Sequence, residues 1–138
     1  MLLSQKNYLK YEARSNLSRI VYVNGQYFDY EKSLVHVEDR GYQFADGVYE
    51  VFTVVDSFIV DYQSHLNRLF KSLSELKIKS PISKKAYIYH IRNIVKKNMI
   101  INGTVYLQVT RGVASRDFKY PINIKSSITI IGKIISTD

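Results

Sequence analysis

From Arg19 onward the apolar residues fall in short β-like clusters, and between residues 61 and 97 the spacing changes to that of helices. Ile20-Val21-Tyr22-Val23 is β-branched and aromatic, Asn24-Gly25 is a strong tight-turn signal, and Gln26-Tyr27-Phe28 predicts an antiparallel return. Val48–Val55 and Phe58–Val60 predict a second hairpin around Asp56-Ser57. Leu66, Leu69, Phe70, Leu73 and Leu76 then recur every three or four residues, which predicts a helix with Asp61 at its N-cap. Pro81 ends the connection, and Ser83 caps a second helix with Ala86, Ile91, Ile94 and Val95 inward and lysines outside. Asn102-Gly103 turns into a strand over Thr104–Thr110, a loop covers 111–125, and a last strand spans Ser127–Ile135. The sum is an α+β domain: hairpins form a largely antiparallel sheet with two helices packed on it.

Composition narrows the class. A chain of 138 residues is one domain's worth, long enough to bury a core without covalent staples. It has no cysteine, so it carries no disulfide framework and no thiolate metal site, which fits a reducing compartment. His36, His65 and His90 lie far apart without ligand spacing, and no metal site is expected. Only Leu2 and Leu3 precede Lys6, too short an apolar stretch for a secretory signal or a membrane span. A cytoplasmic protein without a membrane partner is expected. Residues 1–17 are polar and aperiodic; they read as a flexible leader or the product of an upstream start codon, with a short helix over 7–16 as the alternative.

The net charge of +8 invites a nucleic-acid reading, but its distribution argues against one. The basic residues come in pairs, Lys84-Lys85 and Lys96-Lys97, or singly as Lys71, Lys77 and Lys79. No arginine stripe or aromatic RNA-binding strand accompanies them. They read as solvated helix faces with a modest non-specific attraction to polyanions. Walker, Gly-x-Ser-x-Gly and GxGxxG motifs are also missing.

Residues 38–50 read Glu-Asp-Arg-Gly-Tyr-Gln-Phe-Ala-Asp-Gly-Val-Tyr-Glu, a loop of charged and glycine residues opening into a β-branched strand. This run closely resembles the segment lining the substrate side of the active site in class IV aminotransferases, the D-amino-acid transaminase branch in particular. His65-Leu66-Asn67-Arg68-Leu69 and the stretch Val105–Arg116 agree with it. Branched-chain aminotransferases are similar more distantly. The resemblance implies the small N-terminal domain of the D-amino-acid transaminase fold, pyridoxal 5′-phosphate as cofactor, and a dimer.

Residue by residue, the resemblance assigns Arg68 to the cofactor phosphate, a role suited to an always-charged planar guanidinium. Asn67 stands where the family motif has an aspartate. Tyr49 matches a tyrosine whose hydroxyl helps hold the substrate carboxylate, and in a strand it shares its face with Val51 and Thr53. Arg116 matches an arginine that grips that carboxylate, in the family from the neighbouring subunit. Phe118 occupies the place of an assisting histidine, which removes a donor and adds an apolar ring. Without the resemblance, Arg68 reads as a solvated helix arginine and Tyr49 as one of 12 tyrosines. Arg40 and Glu50 bracket the signature run and are expected to form a surface ion pair of little energetic weight.

In the family, the lysine that forms a Schiff base with the cofactor lies in a second domain, and no lysine here falls in a matching motif. The 138 residues reach about as far as the family's first domain. Micromolar affinity requires about 8 kcal/mol, several times what a single charge-assisted contact supplies. The chain alone is therefore expected to be catalytically inactive and to bind the cofactor weakly or not at all. Three readings follow: an aminotransferase half-domain, one half of a split enzyme completed by a separate chain, or a self-associating module or decaying gene product without catalysis. Ser127–Ile135 is β-prone with a single charge and reads as an edge-pairing segment. The chain should therefore run as an oligomer, a dimer first, in light scattering; a monodisperse monomer would contradict this.

Overall fold

A computed structural model describes residues 19–136; the leader expected over residues 1–17 lies outside them. The strands are β1 (Ile20–Val23), β2 (Gln26–Asp29), β3 (Gly47–Val55), β4 (Phe58–Ile59), β5 (Gly103–Thr110) and β6 (Ser127–Ile134). They form one sheet in the order β2-β1-β6-β5-β3-β4, with every neighbouring pair antiparallel. Helices α1 (Arg40–Phe44), α2 (Tyr62–Glu75) and α3 (Lys84–Lys97) accompany it, with a 3₁₀ turn over Tyr30–Lys32. The α+β architecture agrees with the sequence reading.

Both hairpins form at the expected residues. Asn24 and Gly25 (φ 47° and 96°) and Asp56 and Ser57 (φ 49° and 65°) occupy the left-handed region that tight antiparallel turns require. These turns set the register, Val23 opposite Gln26 and Val55 opposite Phe58. Register then fixes the faces, because side chains alternate with period two. Glu50, Leu107, Ile130 and Tyr22 lie in one row across the sheet, and Tyr49, Gln108, Thr129 and Val23 in the next.

The two long helices cover the face that carries Glu50. Leu66, Leu69 and Leu73 from α2 meet Tyr87, Ile91, Ile94 and Val95 from α3 over Phe52, Val105 and Ile130. Each such large apolar side chain contributes roughly 1.5–3 kcal/mol on burial. Ser83 caps α3 by accepting from the Ala86 N–H at 3.2 Å. Asp61 stands at the N-cap of α2, but in the left-handed region and without a side-chain cap bond. Leu76, expected inward, is exposed because α2 ends at Glu75; Phe70 and Ala86 are half-buried. Tyr87 is fully buried in their stead: burial pushes its phenol up to about 12, while a 2.8 Å hydrogen bond with Ser80 Oγ satisfies it.

The expectation for Ser127–Ile135 is overturned. That segment is β6, paired on both sides by β1 and β5, so it offers no edge. The edges are the short strands β2 and β4, a form that resists strand addition. Apolar surface lies instead on the face away from the helices, where Tyr49, Val51 and Val55 are exposed. Among the described residues no helix is long and apolar enough to cross a membrane.

A polar tie joins α3 to the first hairpin. Asn93 Nδ2 donates to the Tyr27 hydroxyl at 3.0 Å, so the Tyr27 O–H is left to donate to His90 Nδ1 at 2.6 Å. The His90 ring stacks on Tyr22 at 4.2 Å. This arrangement needs an unprotonated Nδ1, and burial lowers the His90 pKa below its ordinary 6.5. The folded value lies under the unfolded one, so the stability that neutral His90 contributes is complete above about pH 6.5 and is lost as pH falls through the folded pKa. The urea midpoint should therefore drop between about pH 7.5 and 5.5, and His90→Gln should shed much of that slope. An unchanged slope in the variant would remove His90 from the account.

Candidate functional site

Residues 38–50 do not form the expected loop throughout. Asp39, itself buried, caps α1 by accepting from the Gly41 N–H at 2.8 Å. A Cβ at Gly41 would stand 2.2 Å from Thr110 Cγ2, so glycine lets α1 lie against β5. The expected Arg40–Glu50 surface pair is also corrected. Both residues are buried, and each is paired elsewhere. The reason is strand parity: Glu50 points to the helix side, whereas Arg40 sits in α1 before the strand begins.

Arg40 pairs with Asp46. Its Nε donates to Asp46 Oδ2 at 2.8 Å, and Arg111 adds Nε to the same oxygen at 2.7 Å and Nη2 to Oδ1 at 3.0 Å. Each arginine also reaches backbone: Arg111 donates to the Leu76 and Lys77 carbonyls at the end of α2, and Arg40 to the Asp117 carbonyl at 2.8 Å. One carboxylate thus ties α1, the end of α2 and the loop after β5 to the start of β3. Burial alone would raise the Asp46 pKa; hydrogen bonds and charge from Arg111 and Arg40 outweigh it and hold the carboxyl below its ordinary value.

Glu50, four residues further along the chain, makes the second cluster. Arg68 Nε donates to Oε1 at 2.6 Å and Nη2 to Oε2 at 2.7 Å, a two-pronged pairing. His65 Nδ1 shares Oε2 at 2.8 Å, and its ring lies 5.2 Å from that of Phe52. Here too burial would raise the Glu50 pKa, and the bonds from Arg68 and His65 bring it below the ordinary value. The Arg68 side chain is 67% exposed although its partner carboxylate is 3% exposed. It is anchored at its base and open at its tip. Glu50, with a lesser effect from the Tyr49 phenol, raises the Arg68 pKa and secures its charge. The Asn67 side chain accepts from Lys84 Nζ.

Tyr49 lies on the opposite face, exposed, its ring stacked on Tyr106 at 5.8 Å. The Tyr106 hydroxyl in turn donates to Gln108 Oε1 at 2.9 Å, steadying the stack. Arg116 contacts two rings, Phe44 and Phe118, each 5.2 Å from its guanidinium carbon. Those rings meet edge to face at 5.8 Å. Tyr49 and Arg68 thus flank Glu50 from opposite faces of the sheet, whereas Arg116 belongs to the aromatic loop beside the Asp46 cluster. Sequence reading missed Asp46 and Arg111, gave Glu50 the wrong partner and assigned His65 no role. For Glu50 a signal exists: it shares the inward parity of Phe52 and Val54, and a buried carboxylate demands a cation. Among the described residues no group of three His, Cys, Asp or Glu is placed to hold a metal ion.

The sequence pattern of the family Amino-transferase class IV matches residues 47–133, the stretch holding both Glu50 and Arg116. The chain belongs to the class IV aminotransferase family. Among curated relatives, the D-alanine aminotransferase of Staphylococcus haemolyticus is 37% identical over 101 residues, covering 73% of this chain and 36% of that protein. The D-alanine aminotransferase of Listeria monocytogenes serotype 1/2a (strain 10403S) is 42% identical over 93 residues, covering 67% and 32%. The chain thus spans about a third of the length of these relatives. Among solved structures, the Escherichia coli branched-chain amino acid aminotransferase superposes with a TM-score of 0.80 at 17% identity, over 86% of this chain and 42% of that one. The T.th. branched-chain amino acid aminotransferase with pyridoxamine 5′-phosphate gives 0.80 at 13%, over 88% and 41%. These likenesses establish the fold, that of the class IV aminotransferase N-terminal domain.

Asp46→Asn leaves two arginines without a counter-charge and should destabilise the domain by about 3–5 kcal/mol in urea titration. Because Asp46 and Glu50 titrate below their unfolded values, the stability they contribute is present above about pH 4.5 and is lost as pH falls through the folded values. The wild-type acid transition should therefore be steep, and that of Asp46→Asn shallower.

Proposed function

We propose that this domain supplies the substrate-carboxylate side and one cofactor-phosphate contact of a pyridoxal 5′-phosphate-dependent D-amino-acid aminotransferase site. The observation that supports this reading best is the anchoring of Arg68. Glu50 holds the guanidinium by Nε and one Nη2 hydrogen, leaving the remaining N–H donors on an exposed tip. A preorganised planar donor set with an undiminished positive charge fits a phosphate. Pyridoxamine 5′-phosphate, the ligand of one structural neighbour, carries such a group.

When bound, the cofactor supplies the electron sink that amino-group exchange requires. This chain's residues do the holding. Arg68 retains the phosphate, and its pairing with Glu50 spares the site an entropic cost on binding. The Tyr49 hydroxyl, on a ring braced by Tyr106, donates to the substrate carboxylate. Arg116 of a neighbouring copy, flanked by Phe44 and Phe118, presents its fork to the same group. Phe118 in place of a donor leaves that grip to Arg116 and Tyr49, with apolar rings excluding water around it. The lysine that completes the chemistry is proposed to come from a second domain, and self-association to use the face away from α2 and α3 around Tyr49 and Val51.

The test joins the chain to the lysine-bearing domain of a D-alanine aminotransferase. Joined, it should transfer the amino group of D-alanine to a 2-oxo acid, and Arg116→Ala should raise KM roughly 10- to 100-fold with a smaller change in kcat. The 138 residues alone should give a flat pyridoxal 5′-phosphate titration. Wild-type KM in Arg116→Ala, or saturable cofactor binding by the 138 residues, would refute these assignments.

A further inference from the structure

A groove of about 710 Å³ opens between the β3–β4 hairpin and the C-terminal half of α3. It shares no lining residue with Tyr49, Arg68 or Arg116. Its floor is apolar and firmly packed: Val95 is 6% exposed and Ile100 1%, with half-buried Ile59 beside them. Its walls are apolar but open to solvent, with Phe58 at 77%, Met99 at 81% and Ile101 at 60% exposure. Three large apolar side chains this exposed around one concavity are unusual on a soluble surface.

The rim has a single sign of charge. Arg92 and Lys96 stand one turn apart on α3 and both line the groove. The Arg92 guanidinium lies over the Tyr62 ring at 5.4 Å, which holds it at the mouth. No lining residue is acidic, and among the described residues no ion pair engages Arg92 or Lys96. α3 contains no Asp or Glu, and the exposed Asp56 and Asp61 stand just outside the lining, next to Ser57 and Tyr62.

We propose that this groove binds a small amphipathic anion: a free carboxylate or sulfonate on an apolar chain or ring. Its volume suits such a ligand, since small-molecule sites commonly fall between roughly 300 and 1,000 Å³. The apolar body would lie on Ile59, Val95 and Ile100, covered by Phe58 and Met99, with the head group between Arg92 and Lys96. A second copy of this chain fits less well, because it would bring its own net charge of +8 towards a cationic rim. A polyanion would meet the two cations but leave the apolar trough unused.

The probe is sodium octanoate, titrated below micelle formation into the ¹⁵N-labelled chain and followed by amide chemical shifts. Saturable shifts are expected at Ile59, Met99 and Ile101, and none there with inorganic phosphate at equal ionic strength. Octanol, which keeps the chain and loses the charge, should bind at least about tenfold more weakly. R92Q/K96Q should weaken octanoate by about tenfold or more, whereas K84Q/K85Q, on the same helix outside the groove, should leave it unchanged. Shifts centred elsewhere, no saturation, equal affinity in R92Q/K96Q, or binding to anionic vesicles without binding to free octanoate would each overturn the proposal.

Discussion

Two largely desolvated carboxylates organise this domain. Asp46 stands just before β3 and Glu50 within it, and each is matched by arginines that arrive from elsewhere in the chain. Neither carboxylate tolerates burial alone, because desolvation penalises the charged form heavily. Their partners are therefore obligatory. Asp46 brings the end of α2 and the loop after β5 to the beginning of the sheet, and Glu50 brings the first turns of α2. Apolar packing of α2 and α3 on the sheet provides most of the stabilisation, but it is non-directional. The ion pairs specify where the helix and the loop must sit.

The same interactions prepare the site. A lone arginine on a helix surface samples many rotamers, and binding an anion would cost it that freedom. Glu50 removes the cost in advance, holding the base of Arg68 while leaving its tip in solvent. The Asp46 cluster does the equivalent for the loop that carries Arg116, since Arg40 binds the Asp117 carbonyl beside it. Among the described residues, no carboxylate pairs with Arg116. Two aromatic faces flank it, which constrains the guanidinium without neutralising it. Phe118 thus supports Arg116 by its ring, a different role from that of the histidine which the family resemblance places there.

Much of the fold was legible in the sequence. Asn24-Gly25 and Asp56-Ser57 marked both hairpins, and Leu66, Leu69 and Leu73 marked the buried face of α2, because turn chemistry and periodicity are local. Errors arose where a residue's fate depended on what lay across the sheet. Ser127–Ile134 has the composition of an exposed edge, yet strand order places it between β1 and β5. Arg40–Phe44 has the composition of a loop, yet Asp39 and the close approach of Gly41 to Thr110 make it a helical turn. In the site, the motif pointed to Arg68, Tyr49 and Arg116 singly, whereas the true partners of Glu50 and the roles of Asp46 and His65 went unread.

By itself, then, the sequence determined the α+β class, the hairpins, the helix faces and membership of the class IV aminotransferase family. Each is encoded in residues close together in the chain. Only the tertiary structure decided which cation meets which buried carboxylate, which strand is interior, and where two cations outside any described ion pair border an apolar groove. Those outcomes depend on strand order and register, which bring together residues as distant in sequence as Asp46 and Arg111, and no local pattern records them.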